Sequence, residues 1–132
     1  MSYQLPNVIH LSPHLAVGGQ PSAIQLLDAQ SAGLKRIINL RPSAENAGFD
    51  EAANATEMGM VYHCIPIAGP GDLTVENVRR FDDLLAQSVD VNTLIHCASG
   101  NRVGALFALR AAWLHGADTE GALLIGKQHG LT

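Results

Sequence analysis

The chain has 132 residues, of which 47% are hydrophobic and 15% charged, a balance that fits one domain with a single core and excludes a disordered chain. A net charge of -4 with no basic run, and only six aromatic residues, exclude the electrostatic and stacking signature of a nucleic-acid binder. No apolar run approaches the roughly 20 residues of a membrane span, and the start Met1-Ser2-Tyr3-Gln4-Leu5-Pro6 has neither segment of a signal peptide, so the expected setting is cytoplasmic, without a membrane partner.

Val8-Ile9-His10-Leu11 and Leu15-Ala16-Val17 flank Ser12-Pro13-His14, which predicts an extended hairpin closed by a turn and ended at Gly18-Gly19. Pro21 suits a first helical turn, and Ile24, Leu27, Ala29 and Leu34 recur at near-helical spacing around the stop signal Gly33. Ile37-Ile38-Asn39-Leu40 reads as a strand buried on both faces, ended by Arg41-Pro42. Asp50 to Met58 is rich in helix formers and closed by Gly59; the next strand, Val61 to Ile67, contains Pro66, which places it near an edge or an end.

Beyond the Gly/Pro-rich loop Ala68-Gly69-Pro70-Gly71-Asp72, Thr74 caps a helix with Val75, Val78, Phe81, Leu84 and Leu85 on its apolar stripe. Thr93-Leu94-Ile95-His96 is a short apolar strand. A helix from about Arg102 to His115 carries Leu106, Leu109, Ala112 and Trp113, and a last helix follows the Asp118-Thr119 cap. Strands alternating with helices predict a single α/β domain over residues 1–132, with a mostly parallel central sheet flanked by helices.

In such a sheet, chemistry collects where a strand's carboxyl end meets the next helix. Cys97 falls at that junction, in His96-Cys97-Ala98-Ser99-Gly100-Asn101-Arg102. Unpaired amides and the partial positive charge of a helix N-terminus favour both a thiolate and an anionic ligand. The small residues Ala98, Ser99 and Gly100 let backbone amides converge as an anion nest, with Asn101 completing it. Arg102 adds a bidentate fork for a tetrahedral oxyanion. A small buried core residue is the commoner fate of a free cysteine; the loop, glycine and arginine that follow favour the functional reading.

The sequence resembles the small phosphatase-like domain of the beta-lactamase-hydrolase-like proteins, a branch of the protein-tyrosine and dual-specificity phosphatase fold. The resemblance covers nearly the whole chain. It rests on Leu11 to Ser22, Ile37 to Pro42, Ile65 to Pro70 and His96 to Arg102. It implies a Cys97 nucleophile, an Arg102 that binds phosphoryl oxygens, and an upstream acid for the leaving group. Asp72, on the Gly/Pro-rich loop, is the best placed candidate, and its alternative is a turn or cap residue; Asp50 is the second candidate. His96 resembles the histidine that precedes the phosphatase cysteine and orients the loop. Gln20 and Arg41 become candidates for the rim of the site. Cys64 is either a buried strand thiol or a redox partner of Cys97.

Two features depart from the phosphatase pattern. Four residues separate Cys97 from Arg102, one fewer than in most phosphatases of this fold, and that shorter ring resembles rhodanese-type sulfurtransferases, whose loop cradles a persulfide. Val103 stands where a hydroxyl residue commonly follows the arginine, which removes a hydrogen-bond donor to the departing thiolate. The expected function is a cysteine-dependent phosphatase-like hydrolase with a phosphorylated substrate, the alternatives being sulfur transfer from a sulfur donor and oxyanion binding without turnover. His10, His14, His63, His115 and His129 show no metal-ligand spacing, so neither metal nor cofactor is expected.

Overall fold

The computed structural model describes residues 3–132. Its chain order is β1 (Ile9–Ser12), β2 (Leu15–Gly18), α1 (Ala23–Ser31), β3 (Arg36–Asn39), α2 (Glu51–Glu57), β4 (Val61–Cys64), a 3-10 turn (Pro70–Asp72), α3 (Val75–Ala86), β5 (Thr93–His96), α4 (Asn101–Leu114) and α5 (Thr119–Gln128). The strands form one sheet in the order β1-β2-β5-β3-β4. Only the β1–β2 hairpin is antiparallel; β2, β5, β3 and β4 run parallel. This is the α/β arrangement expected, with the entry hairpin supplying one antiparallel edge.

Register decides what meets at the working end of the sheet. His96 lies opposite Gly18 on one side and Asn39 on the other, and Asn39 lies opposite Cys64. The last residues of four parallel strands thus stand in one row, at the usual strand spacing of about 4.8 Å.

Alternation along the strands divides the core. Val17, Ile38 and Ile95 pack with Phe81, Leu106 and Phe107 from α3 and α4. Ala16, Ile37 and Leu94 pack with Leu26, Ala29 and Ala55 from α1 and α2. Cys97 and Val103 belong to the first cluster. Truncating the fully buried Phe81 to Ala is expected to cost about 3–5 kcal/mol.

The helices begin where short polar side chains can take a first-turn amide. Ser22 accepts from Gln25 N, and Gln25 returns the bond to the Ser22 amide, a reciprocal capping box. Asp50, Thr74 and Asp118 accept from Ala53 N, Asn77 N and Gly121 N in the same way.

Several expectations need correction. The face of α1 that packs inward is Leu26 and Ala29, while Ile24 and Leu27 are 73% and 51% exposed; with only nine residues in the helix, two apolar stripes competed and the sheet selected the one compatible with the chain's entry. Val75 and Trp113 are likewise exposed; Val75 opens α3 and Trp113 is next to last in α4. β4 stops at Cys64, ahead of the Ile65-Pro66 pair; alternate residues donate to β3, so the missing amide of Pro66 falls on the open edge of the sheet. Ile65 N still donates to Asn39 O at 3.0 Å and Ile67 N to Leu40 O at 2.9 Å, so the segment continues beside β3.

Candidate active site

The polypeptide leaves β5 at His96 and reaches the first α4 hydrogen bond, Gly104 N to Gly100 O at 3.1 Å, through a loop that turns on Gly100. At φ +97° that residue occupies a region favouring glycine. Cys97 N donates to Gly18 O at 3.2 Å, and Gln20 N to Ala98 O at 3.0 Å. Asn7 Nδ2 donates to Ser99 O at 2.9 Å. Because C=O and N–H point opposite ways across a trans peptide, pulling these two carbonyls outward turns the Ser99 and Gly100 amides inward. Gly100 N accordingly meets Cys97 Sγ at 3.1 Å. The amides of Ala98, Ser99, Asn101, Arg102 and Val103 have no backbone acceptor among the described residues, an arrangement of donors suited to an anion at a helix N-terminus.

Gly19 permits this close packing. A Cβ there would lie 2.6 Å from Ala98 O, so only glycine lets the end of the hairpin press on the loop. Cys97 is 1% exposed and belongs to the apolar cluster that also holds Ile95, Val103 and Leu106.

Arg102 is held beside this loop. Its Nη1 donates to Glu45 Oε2 at 2.9 Å and to Ile67 O at 2.8 Å, and Nη2 donates to Glu45 Oε1 at 2.8 Å. A guanidinium has five N–H groups. These contacts occupy its end and leave Nε–H and one Nη2–H on the side edge, the pair that can fork onto a tetrahedral oxyanion. The Arg102 hydrogen bond, ahead of all other causes, holds the Glu45 carboxyl below the usual carboxylate range. The same bond leads the causes that raise Arg102, to which the nearby Cys97 also contributes.

Arg41 reaches the site through the same carboxylate. Its Nε donates to Glu45 Oε1 at 3.1 Å, its Nη1 to Gln20 Oε1 at 2.8 Å and its Nη2 to Asn46 O at 3.3 Å. His96 is fully buried and lies behind the loop, with Nε2 2.6 Å from Glu51 Oε2 and Nδ1 3.3 Å from Cys97 O. Asp72 Oδ2 accepts from Ala68 N at 2.8 Å, so the acid is tied to the residue that follows the Ile67 carbonyl holding Arg102. The Asn101 side chain turns away and accepts from Thr132 N at 3.0 Å, leaving its backbone amide for the loop. Asp50 serves as the α2 cap.

Beside the loop, a cavity of about 400 Å³ opens among Gln20, Asn39, Arg41, Glu51, Tyr62 and Cys64. Burial pushes the Tyr62 hydroxyl up to about 12, and it accepts from Asn39 Nδ2 at 2.8 Å. Burial also pushes the Cys64 thiol up, in keeping with a strand thiol. Sequence reasoning missed Glu45 and Glu51 as parts of the site. A charge in a loop or a first helical turn carries no local motif that announces its long-range partner.

A parallel sheet that delivers a cysteine and an arginine to one amide-lined helix start defines the cysteine-phosphatase fold. The chain belongs to the family described as beta-lactamase hydrolase-like protein, phosphatase-like domain, whose model matches residues 7–114. Beta-lactamase hydrolase-like proteins of Xylella fastidiosa and Agrobacterium fabrum are 32% and 30% identical over 77% and 92% of this chain. The chain spans only 24% and 29% of their lengths. A DUF442 protein of Shewanella putrefaciens, described as a candidate phosphatase, superposes with a TM-score of 0.71 at 25% identity, covering 91% of this chain and 77% of that one. TpbA of P. aeruginosa, solved with phosphotyrosine, shares the fold with a TM-score of 0.64 at 18% identity, covering 95% of this chain and 75% of that one.

Proposed function

We propose that the protein is a cysteine-dependent phosphoester hydrolase. The observation that carries this reading is the inward Gly100 amide on Cys97 Sγ, beside an Arg102 whose side edge is left open by its contacts to Glu45 and Ile67. The Cys97 thiolate attacks phosphorus while Arg102 and the amides of Ala98, Ser99, Gly100 and Asn101 stabilise the equatorial oxygens. As the P–O bond breaks, Asp72 passes its proton to the leaving oxygen. Water, deprotonated by the resulting Asp72 carboxylate, then attacks the phosphocysteine and releases phosphate and thiolate. Arg41 acts at the rim by sharing Glu45 with Arg102, and His96 acts from behind the loop.

The substrate is a phosphorylated molecule, as the phosphotyrosine found with TpbA supports. A cytoplasmic setting, which keeps thiols reduced, belongs to the same reading, since the chemistry needs a free Cys97 thiolate. No helix among the described residues is long and apolar enough to cross a membrane.

Sulfur transfer is the second reading, favoured by the four residues between Cys97 and Arg102. The deciding experiment assays the purified protein on an aryl phosphate and on thiosulfate with cyanide, with Cys97→Ser and Asp72→Asn alongside. Hydrolysis of the phosphate, abolished by Cys97→Ser and strongly slowed by Asp72→Asn, is the expected result. Turnover of thiosulfate alone, indifferent to Asp72, would replace it with sulfur transfer. Phosphate binding without turnover of either substrate would leave a binding module.

A further inference from the structure

Donors and acceptors behind the loop form a directed chain whose sense is fixed by chemistry. Arg41 Nη1 can only donate, so the Gln20 atom 2.8 Å away is the amide oxygen. Gln20 Nε2 then donates to Pro21 O at 2.9 Å and to Glu51 Oε1 at 2.6 Å. At the other end, Cys97 O can only accept, so the His96 Nδ1 that faces it at 3.3 Å carries a hydrogen. The remaining contact joins His96 Nε2 to Glu51 Oε2 at 2.6 Å. Wherever its proton rests, the buried pair is neutral overall. Gln20 donates into the same carboxylate, so both Glu51 oxygens are engaged and the imidazole ring is held between two fixed partners.

We propose that Glu51, from α2, is a positioning residue for the nucleophile: it holds the His96 ring so that Nδ1–H stays on the Cys97 carbonyl. The inference deepens the hydrolase reading and rests on it for its catalytic consequence. Tyr62 and Cys64 on β4 face the same carboxylate, and Arg102 faces Cys97; none of them supplies the His96 Nε2 contact. An uncharged glutamine at position 51 could preserve every bond, its amide donating to a neutral His96 Nε2 and its oxygen accepting from Gln20. Glu51→Gln therefore retains the geometry, whereas Glu51→Ala leaves the His96 ring without its Nε2 partner.

The test reads thiolate reactivity without turnover, by iodoacetamide alkylation of Cys97 across pH in a Cys64→Ala background. Adding Glu51→Ala is expected to slow alkylation at about pH 6 by roughly three- to tenfold, and Glu51→Gln to restore most of the rate. An unchanged rate and profile would overturn the proposal. Nitrogen NMR of the His96 ring in the protein with Glu51 intact gives an independent reading, whether or not the variant folds. A hydrogen on Nδ1 is expected, and a bare Nδ1 would overturn the assignment. Hydrolysis surviving in Cys97→Ser would instead sink the hydrolase reading, while the alkylation and NMR outcomes would still decide the role of Glu51.

Discussion

Glu45 grips both terminal nitrogens of Arg102, Oε1 to Nη2 at 2.8 Å and Oε2 to Nη1 at 2.9 Å. The carboxylate therefore takes the end of the guanidinium and leaves its side to the loop. Glu45→Gln keeps the shape and loses the charge-assisted fork. Phosphate affinity measured by calorimetry is expected to fall by about tenfold, with hydrolysis reduced in parallel.

The same pair gives a pH dependence. Because the folded protein holds the Glu45 carboxyl below its ordinary range, the stabilisation is present in full above the unfolded value and is lost as pH falls through the lower, folded one. Phosphate binding by the parent should weaken over that acidic interval. Glu45→Gln should lack this component, and identical acid profiles for the two proteins would argue against the bracing role.

Asp72→Asn can retain the bond from Ala68 N to its side-chain oxygen while losing the transferable proton. The expected loss in kcat is about 10²–10⁴-fold for a phenyl phosphate, and smaller for a nitrophenyl ester whose leaving group needs little protonation. An equal loss on both esters would identify a structural defect.

Gly19→Ala would set a methyl 2.6 Å from Ala98 O, a backbone atom that cannot swing aside. Urea unfolding is expected to record a loss of about 1–3 kcal/mol, and hydrolysis should fall beyond what the change in folded fraction explains. A neutral result would mean that the loop relaxes freely.

Val103 is fully buried in the apolar cluster with Cys97. Val103→Thr offers the thiolate a hydroxyl at the price of desolvating it, so kcat should rise while stability falls by about 1–3 kcal/mol. Burst kinetics would locate the gain in breakdown of the phosphocysteine.

Much of this arrangement was legible because it is local. Thr74 and Asp118 announced their helices, and the step from His96 to Arg102 announced a strand handing over to a loop, whereas the Ser22 and Asp50 caps emerge only in the fold. What stayed hidden depends on distance in the chain. Glu51 meets His96 across 45 positions and Arg102 meets Glu45 across 57, and a carboxylate in a first helical turn looks the same whether it faces solvent or a buried imidazole. The inward side of α1 was misjudged because in so short a helix Leu26 and Leu27 differ by only 100° of rotation, and packing against the sheet chose between them.

Both acidic brackets come from one stretch of chain between β3 and α2: Glu45 reaches the arginine in front of the sulfur and Glu51 the imidazole behind it. Their spacing therefore functions as a fixed caliper. Inserting or deleting a residue between positions 45 and 51 would misalign front and rear supports at once, so this connection should tolerate changes of side chain far better than changes of length.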